Sequence, residues 1–503
     1  MRSALPRPPW RSPDIRRLLL VRPCNLIVVM SDEHSRKVLG CYGHPHVRTP
    51  NIDALARRGT RFTAAYTPSP ICVPARAAFA TGRHVHEIGC WDNAFAYDGS
   101  IRSWHHVLRD RGHTVTSIGK LHFRSGRDDN GFSEEIIPMH IVDGVGDVLG
   151  LLRDRVFERQ AAPKLASMAG PGESSYTAYD RDITAHALEW IGTKGREASA
   201  KPWVLFVSLV TPHFPLTAPE EHFGKYDVDR LPLPKQYRPS ERPRHPYLRD
   251  YAESFTYDRY FDETKVRMAL AGYYGLCSFV DDHVGQIRRA VEAAGLEDTT
   301  RMVYVSDHGD NLGARGLWGK STMYEESVGI PLIVAGPDIP EGAVEHRPAS
   351  LLDLVPFILE SVGVPASELG RDLPGQAILT PAFSERPVIS QYHATGSRTA
   401  AYMVRLQNWK YICYADPAYP PQFFDLHADP EELNDLAGDE NYRDQRARCH
   451  RALEDQLDPA SVDRSARAEQ ERRVAELGGA DAIIARGDFG YSPPPGRRHN
   501  FAR

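Results

Sequence analysis

The chain has 503 residues, and its 61 Lys and Arg residues against 66 Asp and Glu residues give a formal net charge of −5. Such a nearly balanced charge argues against a general nucleic-acid-binding protein, which would carry a basic excess. The apolar fraction of 41% and the charged fraction of 25% exclude a disordered chain. At this length we expect one large domain and a smaller one.

The amino-terminal segment 1–22 is basic and rich in proline, and its apolar core is only residues 18–21. That core is too short for a secretory signal, and no apolar run in the sequence approaches the roughly 18 residues of a membrane helix. We therefore expect a disordered extension over residues 1–22 and a cytoplasmic protein. Neither a membrane nor nucleic acid is expected as a partner.

Three apolar runs lead directly into ionisable residues. The runs are 26–30 (LIVVM) before Asp32 and Glu33, 203–210 (WVLFVSLV) before His213, and 301–305 (RMVYV) before Asp307 and His308. Continuous runs rich in β-branched residues are typical of central strands that are buried on both faces. In open α/β sheets the ligand lies beyond the carboxyl ends of the strands. The runs therefore predict that these acids and histidines meet at one edge of one sheet.

Helical patterns fill the intervals between the predicted strands, at residues 178–192, 266–294 and 351–362. A shorter helix is predicted after Thr49, with Pro50 at its first position and Gly59 after its end. This alternation predicts an α/β fold with a large, mostly parallel or mixed sheet between helical layers.

The chain changes character along its length, which suggests domain boundaries. We expect the large domain to span residues 23–380 and a small α+β subdomain to span residues 381–460. Residues 212–262, rich in Pro, Arg and Tyr, predict a long surface insertion. The tail 461–503 has little apolar content, so it is expected to dock on a neighbouring surface or stay mobile, and it is a candidate for forming oligomers.

The seven cysteines are odd in number, scattered and without a C-x-x-C pair, which argues against a disulfide framework or a structural zinc site. Cys72 stands out by its surroundings. Pro74 predicts a helix start, so Cys72 lies at the helix N-terminus, where amide groups favour an anion. Arg76 follows one turn later on the same side. A lone cysteine is more often a buried, inert residue.

Residues 72–76 (CVPAR) and 81–83 (TGR) resemble the signature of the type I sulfatases of the alkaline-phosphatase superfamily, and the resemblance covers most of residues 23–440. It implies an alkaline-phosphatase-like fold. It also implies that Cys72 is converted to formylglycine by a separate formylglycine-generating enzyme. One hydroxyl of the hydrated aldehyde would attack sulfur, and the other would expel sulfate afterwards, a form of covalent catalysis that restores its own nucleophile.

Asp32 and Asp307 would repel each other at the ends of buried strands unless a cation lies between them. The resemblance implies one divalent metal, bound by the strand-end acids together with residue 72. Asp32, Asp307 and His308 match the family's ligands, and Glu33 stands where many members have a second aspartate. Oxygen-rich ligand sets suit hard ions, so we expect Ca²⁺, with Mn²⁺ as the alternative because of the imidazole nitrogen.

Three further motifs resemble sulfatase sequences. They are 119–122 (GKLH), 212–215 (PHFP) and 316–320 (GLWGK). By resemblance, Lys120 holds the sulfate and His122 acts as the base, while His213 and Lys320 contact the sulfate and assist the leaving oxygen. Asn93 is a further candidate for sulfate contact. Together with Arg76, these positive groups would neutralise the sulfate oxygens.

The substrate class stays open between aryl sulfates and alkyl or choline-type sulfates. Sequence features shared with choline-sulfatases, such as 306–313 (SDHGDNLG), place the chain near that branch. A choline site needs aromatic walls, for which Trp91, Trp104 and Trp318 are candidates, although each is more typical of packing. The long tail fits a homo-oligomer, a dimer or a tetramer.

Two alternatives differ in their chemistry. A phosphonate monoester or phosphodiester hydrolase of the same superfamily can also carry formylglycine and a metal. Lys120 and His122 favour a sulfatase, because the phosphonate-hydrolase branch lacks that pair. An inactive binding protein on this fold predicts a broken motif set, and none of the five motifs is broken.

Overall fold

The computed structural model describes residues 22–154, 159, 161–197, 199–488 and 490–497. The predicted extension 1–22 lies outside these residues except for Arg22. Sixteen strands are found in the described residues: β1 Asn25–Asp32, β2 Gly59–Phe62, β3 Ala65–Tyr66, β4 Val115–Lys120, β5 Glu134–Met139, β6 Gly170–Pro171, β7 Val204–Pro212, β8 Thr217–Ala218, β9 Thr300–Ser306, β10 Leu332–Ala335, β11 Ala343–Glu345, β12 Ala349–Ser350, β13 Val388–Tyr392, β14 Ala401–Leu406, β15 Trp409–Tyr414 and β16 Gln422–Asp425.

The helices of the described residues lie mainly between these strands. They are α1 Pro50–Arg57, α2 Cys72–Thr81, α3 Val85–Ile88, α4 Trp104–Asp110, α5 Ala161–Met168, α6 Ser175–Gly192, α7 Glu220–Phe223, α8 Pro246–Phe255, α9 Glu263–Ala293, α10 Glu325–Val328, α11 Leu354–Ser361, α12 Arg443–Glu454, α13 Pro459–Glu476 and α14 Ala480–Arg486. The helices predicted at 178–192, 266–294 and 351–362 correspond to α6, α9 and α11. Within the described part of the chain, no helix combines the length and apolarity needed to span a bilayer.

The main sheet has eight strands in the order β11-β2-β10-β9-β1-β7-β4-β5. Strand β1 pairs in parallel with both β7 and β9, and β4 pairs in parallel with β7 and β5. Strand β10 runs antiparallel to β9 and β2. The predicted mostly parallel or mixed sheet is therefore confirmed, and its central strands β9, β1, β7 and β4 all end at the same edge.

Strand β1 is buried on both faces, as its apolar run predicted. Ile27 and Val29 pack in one cluster with side chains of α1, α6 and α9. Leu26, Val28 and Met30 pack in another cluster with side chains of α2, α4 and α11. Because side chains alternate along a strand, a continuous apolar run is needed to contact helices on both sides.

A small antiparallel sheet of order β13-β14-β15-β16 lies after the main sheet, and α12 packs on β14 and β15. The tail contains the helices α13 and α14. The expected boundary between residues 460 and 461 falls inside α13. A buried ion pair joins the small sheet to α10, since Lys410 of β15 contacts Glu325 at 3.0 Å. Each of the two has a further buried partner, Glu432 for Lys410 (2.7 Å) and Arg36 for Glu325.

The expectation of a surface insertion over residues 212–262 is corrected by the structure. Helix α8 buries Tyr247, Tyr251 and Phe255, and Tyr257 and Phe261 are buried as well. These rings pack in one core cluster with Trp318 and with side chains of α9. The aromatic residues of the segment therefore supply part of the core.

Candidate active site

Four adjacent parallel strands deliver the predicted polar residues to one sheet edge. Asp32 ends β1 and Lys120 ends β4, His213 follows β7, and Asp307 follows β9. Asp32 and Asp307 are both fully buried. The observed order β9-β1-β7-β4, with parallel pairing throughout, confirms the expectation that these residues meet at one edge of the sheet.

Cys72 is the first residue of α2 and is 1% exposed. Its Sγ lies 3.6 Å from Asp32 Oδ1, 3.2 Å from His308 Nε2 and 3.2 Å from Lys320 Nζ. Burial, reinforced by Asp32, raises the pKa of the thiol to about 12. The unmodified thiol is therefore protonated at neutral pH and is a poor nucleophile.

Arg76 lies behind the site and joins the two aspartates. Its Nε donates to Asp307 Oδ2 at 2.8 Å and its Nη2 donates to Asp32 Oδ2 at 2.9 Å. Lys120 Nζ lies 2.7 Å from the same Asp32 oxygen. Burial alone would raise the pKa of Asp32, but Lys120 and Arg76 hold it well below its ordinary value. Asp32 is thus an ionised carboxylate, and its Oδ1 faces residue 72.

A four-residue cluster suits a divalent metal. One donor atom each from Asp32, Cys72, Asp307 and His308 lies within 4.8 Å of the others, and all four residues are buried. Two carboxylate oxygens and one imidazole nitrogen are a chemically sound partial ligand set for Ca²⁺ or Mn²⁺, and an oxygen at residue 72 would complete it better than a thiol. The residues present therefore fit the implied metal.

Glu33, which was predicted as a metal ligand, lies in a different cluster with Asp32 and His213. Its Oε2 is 2.8 Å from Lys320 Nζ and 3.3 Å from His213 Nε2. A backbone φ of +67° at Glu33 turns the chain at the end of β1, and the carboxylate then contacts Lys320. Burial, opposed in part by Lys320, raises the pKa of Glu33 to about 8. The structure thus places Glu33 beside Lys320, outside the four-residue cluster.

The cluster lies at a cavity of about 120 Å³. Of the predicted site residues, those that line the cavity are Glu33, Cys72, Asn93, His122, His213 and Lys320. The others, Asp32, Arg76, Lys120, Asp307 and His308, lie behind this lining. A sulfate-sized anion in the cavity would therefore contact the lining residues directly. The residues behind the lining hold it in position and contribute charge beneath it.

The two cavity histidines are both kept neutral by burial, which lowers the pKa of His122 and of His213 well below the ordinary value, and Lys120 or Lys320 lowers each further. Neither nitrogen of the His122 ring has a hydrogen-bond partner within the described residues. His122 has a φ of +55°, a left-handed backbone conformation two residues after the end of β4. A neutral, unpartnered imidazole is suited to accept a proton.

Asn93 is held in place from two sides. Its Oδ1 accepts a hydrogen bond from the Val73 amide at 3.2 Å. The preceding Asp92 accepts hydrogen bonds from the Ala94 amide (2.8 Å) and from Gln470 Nε2 (2.7 Å) of α13. Sequence analysis did not find Gln470, because no local pattern connects a helix in the tail with residue 92.

Aromatic residues other than the predicted tryptophans line the cavity. Trp91, Trp104 and Trp318 are buried in packing positions, and no tryptophan is among the described lining residues. The aromatic lining consists of Tyr176, Phe214, Tyr251, Phe255, Tyr257, Tyr392 and Tyr491. Several come from the segment expected to be a surface insertion, and one comes from the tail. The sequence analysis did not identify those of residues 212–262, because a Pro- and Arg-rich segment is typical of a surface loop.

Comparison with solved structures identifies the fold. The phosphonate monoester hydrolase of Agrobacterium radiobacter superposes with a TM-score of 0.68 at 22% identity, over 95% of this chain and 100% of that chain. The structure of BT4656 in complex with its substrate D-glucosamine-2-N,6-O-disulfate gives a TM-score of 0.68 at 21% identity, over 90% and 99% of the two chains. The predicted alkaline-phosphatase-like fold is confirmed.

Sequence comparison identifies the family. The family described as Sulfatase matches residues 24–364, and N-sulphoglucosamine sulphohydrolase, C-terminal, matches residues 313–458. The choline-sulfatase of Rhizobium meliloti (strain 1021) is 31% identical over 433 residues, 82% of each chain. Arylsulfatase K of Bos taurus is 30% identical over 442 residues, 82% of this chain and 78% of the relative. The chain therefore belongs to the sulfatase family, which confirms its predicted class as a sulfuric ester hydrolase.

Proposed function

We propose that this protein hydrolyses small aryl or alkyl sulfate monoesters, including choline-type esters, after conversion of Cys72 to formylglycine. One observation carries the proposal. Residue 72 lines the cavity while contacting Lys320 and His308 at 3.2 Å and the ionised Asp32 at 3.6 Å. A nucleophile at this position has a cation on one side and a metal ligand set on the other.

Formylglycine would supply, as its hydrate, an oxygen nucleophile that can release sulfate again. The buried thiol cannot take that role itself, because its pKa of about 12 leaves it protonated. The Sγ atom thus marks the place of an oxygen, and conversion of Cys72 would also replace a weak metal donor by a hard one.

A divalent metal would be held by Asp32, Asp307, His308 and residue 72, and it would supply positive charge against the sulfate oxygens. Lys120 and Arg76 keep Asp32 ionised, and Arg76 orients both aspartates. Ca²⁺ suits the two carboxylates and Mn²⁺ suits the imidazole, so both are proposed, with Ca²⁺ first.

The residues of the cavity divide the remaining work. Lys320, whose pKa the contacts with Cys72 and Glu33 raise despite its burial, stays charged and binds a sulfate oxygen. His213 Nδ1 lies 2.7 Å from the Phe214 carbonyl, so the neutral ring carries its proton there and leaves Nε2 as an acceptor. Nε2 lies 3.3 Å from Glu33, whose raised pKa of about 8 keeps it protonated, so a proton from Glu33 can pass through His213 to the leaving oxygen. His122 is neutral and accepts the proton that is released when sulfate departs. The buried lining excludes bulk water, which strengthens each of these contacts.

Mass analysis of the peptide containing Cys72, combined with turnover of 4-nitrophenyl sulfate and choline sulfate, tests the proposal. We expect the mass of formylglycine in that peptide and hydrolysis in proportion to the converted fraction. An unmodified cysteine in a fully active preparation would refute it.

A phosphonate monoester hydrolase is the second candidate, because enzymes of that name share the fold. A phosphonate monoester carries one negative charge, as a sulfate monoester does, so the charge of the cavity alone does not separate them. Lys120 and His122, both present here, favour sulfate. Parallel measurement of kcat/KM for sulfate and phosphonate esters of 4-nitrophenol decides between the two, and a higher value for the phosphonate would favour the second candidate.

A further inference from the structure

A second cavity, of about 600 Å³, lies between β2 of the main sheet and β14 of the small sheet. We call it the inter-sheet cleft. Its arginine, lysine and glutamate residues are Arg36, Lys37, Arg61, Glu325, Arg405 and Glu431. The cleft shares no described lining residue with the active-site cavity, and none of these residues takes part in the proposed reaction. It is therefore a separate candidate for binding.

Both carboxylates of the inter-sheet cleft are already paired. Glu325 contacts Lys410 at 3.0 Å and also pairs with Arg36. Glu431 contacts Lys37 at 2.8 Å and a second lysine at 2.7 Å. The four arginine and lysine side chains of the described lining outnumber its two carboxylates, and the two other arginines have no ion pair with any described residue.

Arg405 is the first of these two arginines, and it is only 8% exposed. Its Nε donates to the Tyr66 hydroxyl at 3.0 Å, while its buried Nη1 has no hydrogen-bond partner within the described residues. Lys410 stands directly opposite Arg405 in the ladder between β14 and β15, and like charges in that arrangement repel each other. A buried guanidinium without a carboxylate is costly, so its surroundings favour an anion.

Arg61 is the second arginine, and it lies half-exposed on β2. Its guanidinium carbon is 5.0 Å from the centroid of the Tyr42 ring. That ring is fixed in turn, because the Tyr42 hydroxyl accepts a hydrogen bond from the Leu332 amide at 3.0 Å. Each sheet thus contributes one guanidinium without a carboxylate to the inter-sheet cleft.

We propose that the inter-sheet cleft binds a tetrahedral oxyanion, sulfate or phosphate, between Arg405 and Arg61. Both ions present pairs of oxygens that a planar guanidinium contacts through two parallel hydrogen bonds. The ion supplies the partner that Arg405 Nη1 lacks, and it joins β14 of the small sheet to β2 of the main sheet. This inference does not depend on the proposed sulfatase function, because the two cavities share no described residue.

Equilibrium dialysis of the full chain against labelled sulfate, and in a second arm against labelled phosphate, tests the proposal at a constant ionic strength set with sodium chloride. All variants are made together with Lys320→Gln, which weakens anion binding in the active-site cavity. We expect about one ion per chain in this background. Arg405→Gln and Arg61→Gln should each raise the dissociation constant about 10- to 100-fold, the effect of losing hydrogen bonds to a charged group. Arg57→Gln, an exposed arginine of α1 outside the cleft, is the matched control and should leave the constant unchanged.

Thermal unfolding separates ion binding from a structural role of the buried Arg405. The ion should raise the melting temperature of the Lys320→Gln protein, because it binds the folded state, and it should raise that of Arg405→Gln much less. Arg61 is half-exposed, so Arg61→Gln decides the question even where Arg405→Gln fails to fold. The ion with the lower dissociation constant is the one that the cleft selects. Absence of a bound ion in both arms, or equal binding by Arg61→Gln and Arg57→Gln, would overturn the proposal. None of these measurements uses turnover, so their outcome is independent of whether the protein hydrolyses sulfate esters.

Discussion

Arg76 donates a hydrogen bond to Asp307 at 2.8 Å, although 231 residues separate them in sequence. The same guanidinium reaches Asp32, the Lys120 carbonyl and Ser208 Oγ, so all of its described contacts are with the protein behind the cavity. Arg76 was predicted as a catalytic residue. The structure places it as the group that orients the two aspartates, one helical turn after Cys72.

Replacing Arg76 with Lys tests this positioning role. A lysine keeps the charge but lacks the planar fork that contacts both aspartates, so the metal ligands lose their fixed orientation. We expect the metal concentration for half-maximal activity to rise about 10- to 100-fold, the range typical of groups that orient metal ligands. Titration of the metal-free protein with Ca²⁺ or Mn²⁺, followed by thermal unfolding, gives a readout independent of activity. Arg83→Lys, at a half-exposed position after α2, is the control; equal effects in both variants would contradict the role.

Replacing Cys72 with Ala or Ser is expected to abolish turnover without unfolding the protein. The loss should reach at least about 10³-fold, because an ordinary hydroxyl, such as that of Ser321 on the described lining, cannot release sulfate as a formylglycine hydrate does. Initial rates and far-UV circular dichroism of each variant give the two measurements. Cys41→Ser, at a half-buried site outside the cavity, should retain full activity. Full activity of Cys72→Ala would refute the mechanism.

The apolar runs of the sequence were sufficient to predict the sheet edge and the residues on it. A run such as 26–30 must be buried on both faces, and the polar residue after it must then stand at a strand end. The motifs around Cys72, Lys120 and Asp307 added the roles by resemblance. What the sequence could not show was contact between distant segments, since Gln470 with Asp92, or Tyr491 with Tyr176, leaves no periodic or local signal. The contact of Glu33 with Lys320 could not be predicted either, because it depends on a left-handed backbone conformation at Glu33.

Removal of the metal is expected to abolish hydrolysis. Asp32 is buried and ionised with its Oδ1 facing residue 72, so without a cation this oxygen would oppose the approach of an anionic ester. Dialysis against a chelator, followed by addition of Ca²⁺ or Mn²⁺, should remove and restore turnover, and thermal unfolding should shift upward with the ion that binds. Persistence of activity in protein shown to be metal-free by elemental analysis would contradict the assignment.

Gln470 is expected to act on the reaction through Asp92 and Asn93. Gln470→Ala removes the hydrogen bond to Asp92 Oδ2 and leaves that carboxylate unsatisfied, so the loop that carries Asn93 loses one of its two fixed points. We expect kcat/KM to fall about tenfold, because small displacements of positioning groups are costly to catalysis. The exposed Gln456→Ala is the matched control. A lower melting temperature with unchanged kcat/KM would show a purely structural role.

The ion pair between Lys410 of the small sheet and Glu325 of α10 predicts a pH-dependent stability. Burial alone would raise the pKa of Glu325, but Lys410 and Arg36 overcome this and lower it from an ordinary value of 4.5 to about 2. The folded state therefore binds the proton less tightly than the unfolded state, so this contribution is complete above pH 4.5 and is lost as the pH falls toward 2. Glu325→Gln leaves Lys410 and Arg36 buried with one fewer carboxylate and is expected to destabilise the protein by about 3–5 kcal/mol at pH 7.

Urea unfolding of Glu325→Gln at pH 7 and pH 3.5 should show a smaller difference in the free energy of unfolding from wild type at the lower pH. The control Glu471→Gln, on the exposed face of α13, should show no difference at either pH. A difference that stayed constant with pH would mean that Glu325 stabilises the junction by packing and not by charge.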